Sequence, residues 1–269
     1  MPSSTPLIAY DRVGKSFAGR GPSRVVAVDD VSLEVGKGEF LAIVGGSGSG
    51  KTTLLRLANR LIEADQGTIT VEGEDVRAAD PVSLRRRIGY VFQSGALFPH
   101  ISVGGNIGIT PKLLGWPAAD IAARVGELLE LVRLDKDHRE RLPHELSGGQ
   151  RQRIGVARAL AAKPQIVLMD EPFGALDPLT RDALRDDFRS LHDKLSLTTV
   201  MITHDMAEAL LLADRIAVMH AGKLLALGTP AELSKSGDAY VANLLRTPRR
   251  EAERLNALLP KSLPEDGAA

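Results

Sequence analysis

The stretch GGSGSGKTT, Gly45 to Thr53, lies between the apolar run FLAIV and the helical pattern LLRLANRLI. It matches G-x-x-x-x-G-K-[ST], with Gly45, Gly50, Lys51 and Thr52 in the fixed positions. A loop without bulky side chains can wrap its backbone N–H groups around phosphate oxygens, and the helix that begins there adds the positive end of its dipole. The strand–loop–helix context therefore favours a nucleotide phosphate site over an ordinary flexible turn.

Every residue of this loop is a predicted nucleotide contact. We expect Lys51 to reach the β- and γ-phosphates and the Thr52 hydroxyl to bind Mg²⁺. The predicted contacts are Gly45, Gly46, Ser47, Gly48, Ser49, Gly50, Lys51, Thr52 and Thr53.

A pair of acidic residues, Asp170 and Glu171, ends the apolar run QIVLM. An α/β sheet binds its ligands at the carboxyl ends of its strands. Asp170 could hold Mg²⁺, and Glu171, which points elsewhere along the pleat, could polarise an attacking water. Taken alone, the pair could also open a solvent-exposed loop before Pro172. The phosphate loop on the same chain favours the catalytic interpretation.

A second glycine-containing helix start occurs in ELSGGQRQRIGVARALAAKP. Ser147 is a good N-cap for a helix from about Gln150, and Gly148 and Gly149 leave backbone N–H groups free to bind an anion. The alternative is a simple capped helix. Two such helix starts suggest two contacts with one triphosphate. Since one sheet cannot easily aim both at the same ligand, we expect two chains to pair head to tail.

Short β-branched runs alternate with helical patterns along the chain, which predicts a mainly parallel α/β sheet. The stretch from about 97 to 162 is mostly helical and is predicted to be inserted into this core. Residues 1–230 are predicted to form the main domain. Residues 231–269 are predicted to form a short helical tail whose end, LPEDGAA, frays.

The amino-acid composition excludes some classes of function. The chain has 269 residues with 43% hydrophobic side chains, enough for a sizeable core. A net charge of zero argues against a broad nucleic-acid surface, and the absence of cysteine excludes disulfides and thiolate metal sites and favours a reducing cytosol. No apolar stretch is long enough to span a bilayer and no signal peptide is evident, so we expect any membrane role to act through a partner.

Taken together, these motifs resemble those of the ATP-binding subunits of ABC transporters. GGSGSGKTT resembles the Walker A motif, LSGGQ is identical to the family signature, and IVLMDEP resembles Walker B. The resemblance covers roughly residues 7–230. Further matches follow in the family's order: Phe17 in GKSF, Gln93 in YVFQ, Asp177 in GALD and His204 in ITHD.

The resemblance implies a RecA-like P-loop NTPase core with a mainly parallel sheet, an antiparallel β subdomain and an inserted α-helical subdomain. It also implies ATP and Mg²⁺ as cofactors. Thr52, Gln93 and Asp170 would order the metal ion and its waters. Glu171 would be the general base.

The resemblance also implies roles for residues that bind neither the metal ion nor the attacking water. Phe17 would stack on adenine and His204 would contact the γ-phosphate. The signature residues Ser147, Gly148 and Gly149 would close on the γ-phosphate of the nucleotide bound by a second copy of the chain. Gln150 and the D-loop residue Asp177 are further predicted nucleotide-binding residues. Without the family context, Phe17 could be a core aromatic, Gln93 a strand-end amide and His204 a structural histidine.

The resemblance extends to transport. LFPHISVGGNI resembles the segment that receives a coupling helix of the membrane subunit in importers, with Gly104 and Gly105 as departures. LIEADQGTITVEGEDV, QSGALFPHISV and MITHDMAEALLLADRIAVM most resemble ATPases that serve glycine betaine, choline and related osmoprotectants. This implies a peripheral protein on the cytoplasmic face of the inner membrane. Its partners would be permease subunits and, indirectly, an extracytoplasmic solute-binding protein.

Other classes remain as alternatives. An exporter or lipid-transport ATPase would use the same motor. A soluble ATPase acting on nucleic acid is disfavoured by the single cassette, the short helical insert and the zero net charge, so we expect no nucleic-acid partner. A small-molecule kinase with a phosphate loop would have no need for LSGGQ.

Overall fold

The computed structural model describes residues 5–19, 24–93, 95–174 and 176–258. The end of the predicted tail, 259–269, lies outside the described residues. The strands are β1 (Ile8–Ala18), β2 (Arg24–Val35), β3 (Phe40–Val44), β4 (Gln66–Val71), β5 (Glu74–Asp75), β6 (Ile88–Val91), β7 (Ile166–Asp170), β8 (Thr198–Thr203), β9 (Arg215–His220) and β10 (Lys223–Gly228). The helices are α1 (Lys51–Ala58), α2 (Pro81–Arg87), α3 (Val103–Leu113), α4 (Ala118–Leu131), α5 (Gly148–Leu160), α6 (Pro178–Leu195), α7 (Met206–Leu212), α8 (Pro230–Leu233) and α9 (Ala239–Leu258).

The strands form two sheets. The smaller is antiparallel with order β2-β1-β4-β5, and the larger has order β10-β9-β3-β8-β7-β6. Neighbouring strands of the larger sheet run parallel from β9 to β6, and only β10 is antiparallel. The predicted P-loop α/β core with a separate antiparallel sheet is thereby confirmed.

The three central strands β3, β7 and β8 are buried along their whole length, as their apolar, non-alternating sequences predict. Because they are parallel, their carboxyl ends meet at one edge of the sheet. The phosphate loop, the acid pair and the ITHD segment follow these ends. This edge brings the predicted site together.

Each face of the larger sheet carries its own core. Phe40 and Val44 of β3 pack on the side of α3, α4, α5 and α6, whereas Leu41 and Ile43 pack on the side of α1 and the antiparallel sheet. This division follows from the alternation of side chains along a strand. Among the described residues, no helix combines the length and the apolar character needed to cross a membrane.

The predicted helical insertion lies between β6 and β7, where α3, α4 and α5 follow one another with two short 3₁₀ turns. Helix α5 begins at Gly148, earlier than expected, because Ser147 caps it. The division into a domain over 1–230 and a tail over 231–269 stays a prediction, although α8 and α9 do occupy the described part of the tail.

One helix is shorter than its pattern predicts. The apolar spacing of LLRLANRLI suggests a helix through Ile62, yet α1 ends at Ala58. Asn59 accepts a hydrogen bond from the Leu61 backbone through its side chain, at 3.1 Å, and Arg60 has a left-handed backbone with φ of 53°. The Leu61 and Ile62 N–H groups also donate back to the Arg56 carbonyl, at 3.0 and 3.3 Å, so the left-handed turn at Arg60 closes the helix. The Asn59 side-chain bond supports this turn.

Candidate functional site

The phosphate loop requires glycine at two positions for steric reasons. A Cβ at Gly45 would overlap the carbonyl oxygen of Met219, and one at Gly50 would overlap that of Ala27. Gly50 also has a left-handed backbone with φ of 98°. The loop is therefore pressed between β9 and β2, which fixes its path from strand to helix.

The first turn of α1 has its backbone donors available for a ligand. Gly50 is its N-cap, and no side chain of the described residues caps this helix. The leading N–H groups of a helix need an acceptor, and a phosphate supplies oxygens in that place. A triphosphate thus fits the loop by donor geometry and by dipole sign.

Lys51 folds back into the loop. Its Nζ donates to the carbonyl oxygens of Gly45 at 2.8 Å and Gly46 at 2.9 Å. Burial lowers the pKa of this amine, and the nearby carboxylates of Glu171 and Asp170 oppose that shift. The loop therefore holds a cation at its centre, beside the acid pair.

Asp170 connects the loop to β7. Its Oδ1 accepts from the Thr52 hydroxyl at 3.2 Å, and its Oδ2 lies 3.4 Å from the Tyr90 hydroxyl and 3.6 Å from Arg56 Nη2. Burial and the Asp170 charge raise the pKa of Tyr90 to about 12, so the phenol stays protonated and can donate. The oxygen atoms of Thr52 and Asp170 are ligands of the hard type that Mg²⁺ prefers.

Glu171, Gln93 and His204 form a second group beside the first. Glu171 Oε2 accepts from Gln93 Nε2 at 2.9 Å and lies 3.3 Å from His204 Nδ1. Glu171 has a left-handed backbone with φ of 46°, and its N–H donates to Ile202 O on β8. A non-glycine residue in this conformation is strained, and such strain clusters at functional sites.

The second helix start is capped by its own residues. The Ser147 hydroxyl accepts from the Gln150 N–H at 3.2 Å, and the Gln150 side chain accepts from the Ser147 N–H at 2.9 Å. A Cβ at Gly149 would lie 2.6 Å from Thr180 Cγ2 of α6, whereas one at Gly148 would meet nothing closer than 3.9 Å. These contacts run to α5 itself and to α6, not to the phosphate loop.

Two predicted residues lie apart from the acid pair. Phe17, on β1, is 39% exposed, with Lys15 Nζ 5.5 Å from its ring centre, so it is an accessible aromatic rather than a core one. Asp177 caps α6 by accepting from the Thr180 N–H at 3.0 Å, and hydrogen bonds from Thr180 lower its pKa.

Sequence reasoning missed two neighbours of Asp170. Tyr90 lies on β6, which pairs with β7, and Arg56 lies one turn along α1 from Thr52. The i, i+4 spacing of Thr52 and Arg56 was a usable indication. Tyr90 could be found only by knowing that β6 is the neighbour of β7. Within the described ranges, no three His, Asp or Glu side chains cluster as a ready-made metal site.

Known proteins resemble this chain in sequence and in fold. The family model described as ABC transporter matches residues 28–174. The choline transport ATP-binding protein of Bacillus subtilis is 45% identical over 94% of the chain and 67% of its own length. A glycine betaine/carnitine/choline transport ATP-binding protein of the same organism is 52% identical over 86% of the chain. The chain spans only 60% of that relative's length.

A third relative and two solved structures are also similar to this chain. The glycine betaine uptake ATP-binding protein of Escherichia coli is 48% identical over 83% of the chain and 71% of its length. A dimeric ATP-binding cassette bound to ADP and phosphate superposes with a TM-score of 0.76 at 29% identity, over 82% of this chain and 98% of that one. A dimeric bacterial ABC transporter cassette superposes equally well at 30% identity.

Proposed function

The chain belongs to the ABC transporter family of ATP-binding proteins, and from this premise we propose that it hydrolyses ATP to power import of a small solute through membrane permease subunits. The observation that carries the proposal is the meeting of Lys51 and Thr52 with Asp170, Glu171 and His204 at one edge of the sheet. This edge thus combines groups that can bind phosphate, groups that can bind a metal ion, and a carboxylate that can act as a base.

ATP binding would use the whole phosphate loop. Backbone N–H groups between Gly45 and Lys51, other than the Gly46 N–H that donates to the Tyr240 hydroxyl, would hold the phosphates. The Thr53 N–H would add a donor, and the exposed ring of Phe17 would stack on adenine. Thr52, Asp170 and the Gln93 side-chain oxygen would hold Mg²⁺ and its waters. When bound, this ion neutralises charge on the β- and γ-phosphate oxygens.

The roles of Glu171 and His204 follow from their contact. Glu171 would accept the proton of the attacking water, and Gln93, which donates to it, would orient its carboxylate. His204, at 3.3 Å from the same oxygen, would place its ring toward the γ-phosphate and stabilise developing charge. No covalent intermediate is needed.

A second copy of the chain would complete the site. Ser147, Gly148, Gly149 and Gln150 begin a helix whose cap contacts run to α5 itself and to α6, so they would contact the γ-phosphate bound by a partner in a head-to-tail dimer. Asp177, at the start of α6, would lie at the same interface. The dimeric cassettes to which this chain is similar support this arrangement.

The permease would dock beside the helical insertion. A groove of about 360 Å³ there is lined by Phe92, Phe98, Leu113 and Arg158, and the first three side chains are at least 40% exposed. An exposed apolar patch of this kind suits a helix of a membrane subunit. The chain would thus be peripheral, on the cytoplasmic face of the inner membrane.

We assign the solute to the osmoprotectants, such as glycine betaine or choline, because relatives carry those names at 45–52% identity. An extracytoplasmic binding protein would deliver the solute to the permease and would not touch this chain.

The test is Glu171→Gln, which removes the base and keeps the shape. We expect steady-state ATP hydrolysis to fall by about 10²–10⁴-fold, because general base catalysis contributes that much. With Mg²⁺ and ATP the variant should elute as a dimer in gel filtration, and EDTA should abolish dimerisation. Glu74→Gln on β5 is the matched control and should hydrolyse ATP like the wild type. Unchanged turnover in Glu171→Gln would remove this residue from the base role.

A further inference from the structure

The C-terminal helix touches the phosphate loop through one side chain. The hydroxyl of Tyr240, in the first turn of α9, accepts a hydrogen bond from the Gly46 N–H at 3.0 Å. The Tyr240 ring lies against His220 at the end of β9, with the ring centres 4.3 Å apart. A residue of the tail thus reaches the loop predicted to bind the phosphates.

The position of Tyr240 is fixed by the start of helix α9 and by the packing of that helix on the core. The Asp238 carboxylate accepts from the backbone N–H groups of Tyr240 and Val241, at 2.8 and 3.0 Å, and so starts the helix. Val241 is fully buried, and Leu244 and Leu245 pack against the same core. The hydroxyl is therefore presented by an anchored turn rather than by a free tail.

Helix α9 also packs against α7, which begins two residues after His204. One element consequently contacts both the phosphate loop and the helix that follows the predicted γ-phosphate contact. The remainder of α9, from 249 to 258, is exposed. Only the first turns of the helix take part in this contact.

Gly46 links Tyr240 to Lys51. The Gly46 carbonyl accepts from Lys51 Nζ at 2.9 Å and from the Ser49 N–H at 3.2 Å. Gly46 itself is exposed and carries no side chain to hold it in place. The Tyr240 hydroxyl therefore restrains Gly46, whose carbonyl orients Lys51. This restraint acts at a glycine, the residue with the greatest backbone freedom.

We propose that Tyr240 is a positioning residue for nucleotide binding, which holds the entrance of the phosphate loop in its binding conformation through the Gly46 N–H. Preordering a loop strengthens binding because less conformational freedom is lost when the ligand arrives. The tail thereby sets the affinity for ATP without touching the nucleotide. This inference rests on the proposed ATPase function.

The test compares Tyr240→Phe with Asn243→Ala. Phenylalanine keeps the ring against His220 and deletes only the hydroxyl; Asn243 lies on the same helix with an exposed side chain. We expect Tyr240→Phe to raise the Kd and KM for MgATP about three- to tenfold, the range for loss of one hydrogen bond, with kcat unchanged. NMR should show faster hydrogen exchange at the Gly46 amide, and the melting temperature should stay within about 2 °C of wild type. Asn243→Ala should match the wild type throughout.

The outcomes are separable. If the wild type binds no ATP, the proposed function fails, whereas the Gly46 exchange result still tests the contact. If the wild type binds ATP and Tyr240→Phe binds it equally well or more tightly, the positioning role is wrong. A fall in melting temperature with unchanged affinity would reduce Tyr240 to a packing residue and would also overturn the proposal.

Discussion

The two glycine-containing helix starts look alike in sequence but are built differently. At α1, Gly50 takes a left-handed backbone, a Cβ there would overlap a neighbouring carbonyl, and no described side chain caps the helix. At α5, Ser147 and Gln150 cap each other's backbone, and Gly148 has open space around it. The first start is sterically enforced and leaves its donors free. The second is capped by its own residues and is open at Gly148, whereas a Cβ at Gly149 would meet Thr180.

This difference matches the two proposed roles. A loop that grips a ligand of its own chain is shaped by neighbouring strands, so its glycines are required for folding as well as for binding. A surface that closes on a ligand held by a partner must be stable alone and accessible. Glycine at 148 then serves access rather than backbone geometry.

The comparison predicts opposite outcomes for glycine-to-alanine changes at the two helix starts. Gly50→Ala should lower the free energy of unfolding by about 3 kcal/mol, because a left-handed alanine is strained and its Cβ meets the Ala27 carbonyl. Gly148→Ala should change it by about 1 kcal/mol or less, in the stabilising direction. Urea denaturation of both variants measures this. Equal destabilisation would show that the two starts are alike.

The lysine at the first start provides the next largest effect. Lys51→Ala removes a cation centred between the loop carbonyls and the acid pair, and we expect ATP affinity to fall about a hundredfold, as for loss of hydrogen bonds to a charged group. Lys37→Ala, at an exposed position before β3, is the control and should bind normally. Isothermal titration with MgATP compares them. Normal affinity in Lys51→Ala would contradict the loop's assignment.

Much of the fold was accessible from sequence because the central strands are apolar and bounded by loops with recognisable chemistry. FLAIV and QIVLMD read as strands buried on both faces, and FLAIV and IVLMD form such strands. The predicted length of α1 was wrong, because apolar spacing continues past Asn59 while the left-handed turn at Arg60 and its hydrogen bonds end the helix. Periodicity reports which face is buried and does not report a local hydrogen bond.

The site was accessible only in part, for a related reason. Motif residues such as Asp170 and Glu171 follow strands, so their meeting could be inferred from parallel topology. Tyr90 stands in YVFQ, a stretch matched only for Gln93, and Arg56 and Tyr240 belong to no motif. Each of the three contacts the site through tertiary packing. Tyr240 is separated along the sequence by 194 residues from Gly46, the loop residue that it contacts. No local pattern can encode such a pairing.

The smallest effect in the series separates capping from ligand binding at Ser147. Ser147→Ala should cost about 1 kcal/mol of stability, because it removes the acceptor for the Gln150 N–H. Ser147→Asp should restore that stability, since aspartate is an equally good N-cap, yet it places a negative charge where the partner's γ-phosphate would lie. In the Glu171→Gln background, Ser147→Asp should therefore fold normally and fail to dimerise with MgATP. If the double variant dimerised at the same MgATP concentration as Glu171→Gln alone, the second helix start would be a capped helix without a role in ligand binding.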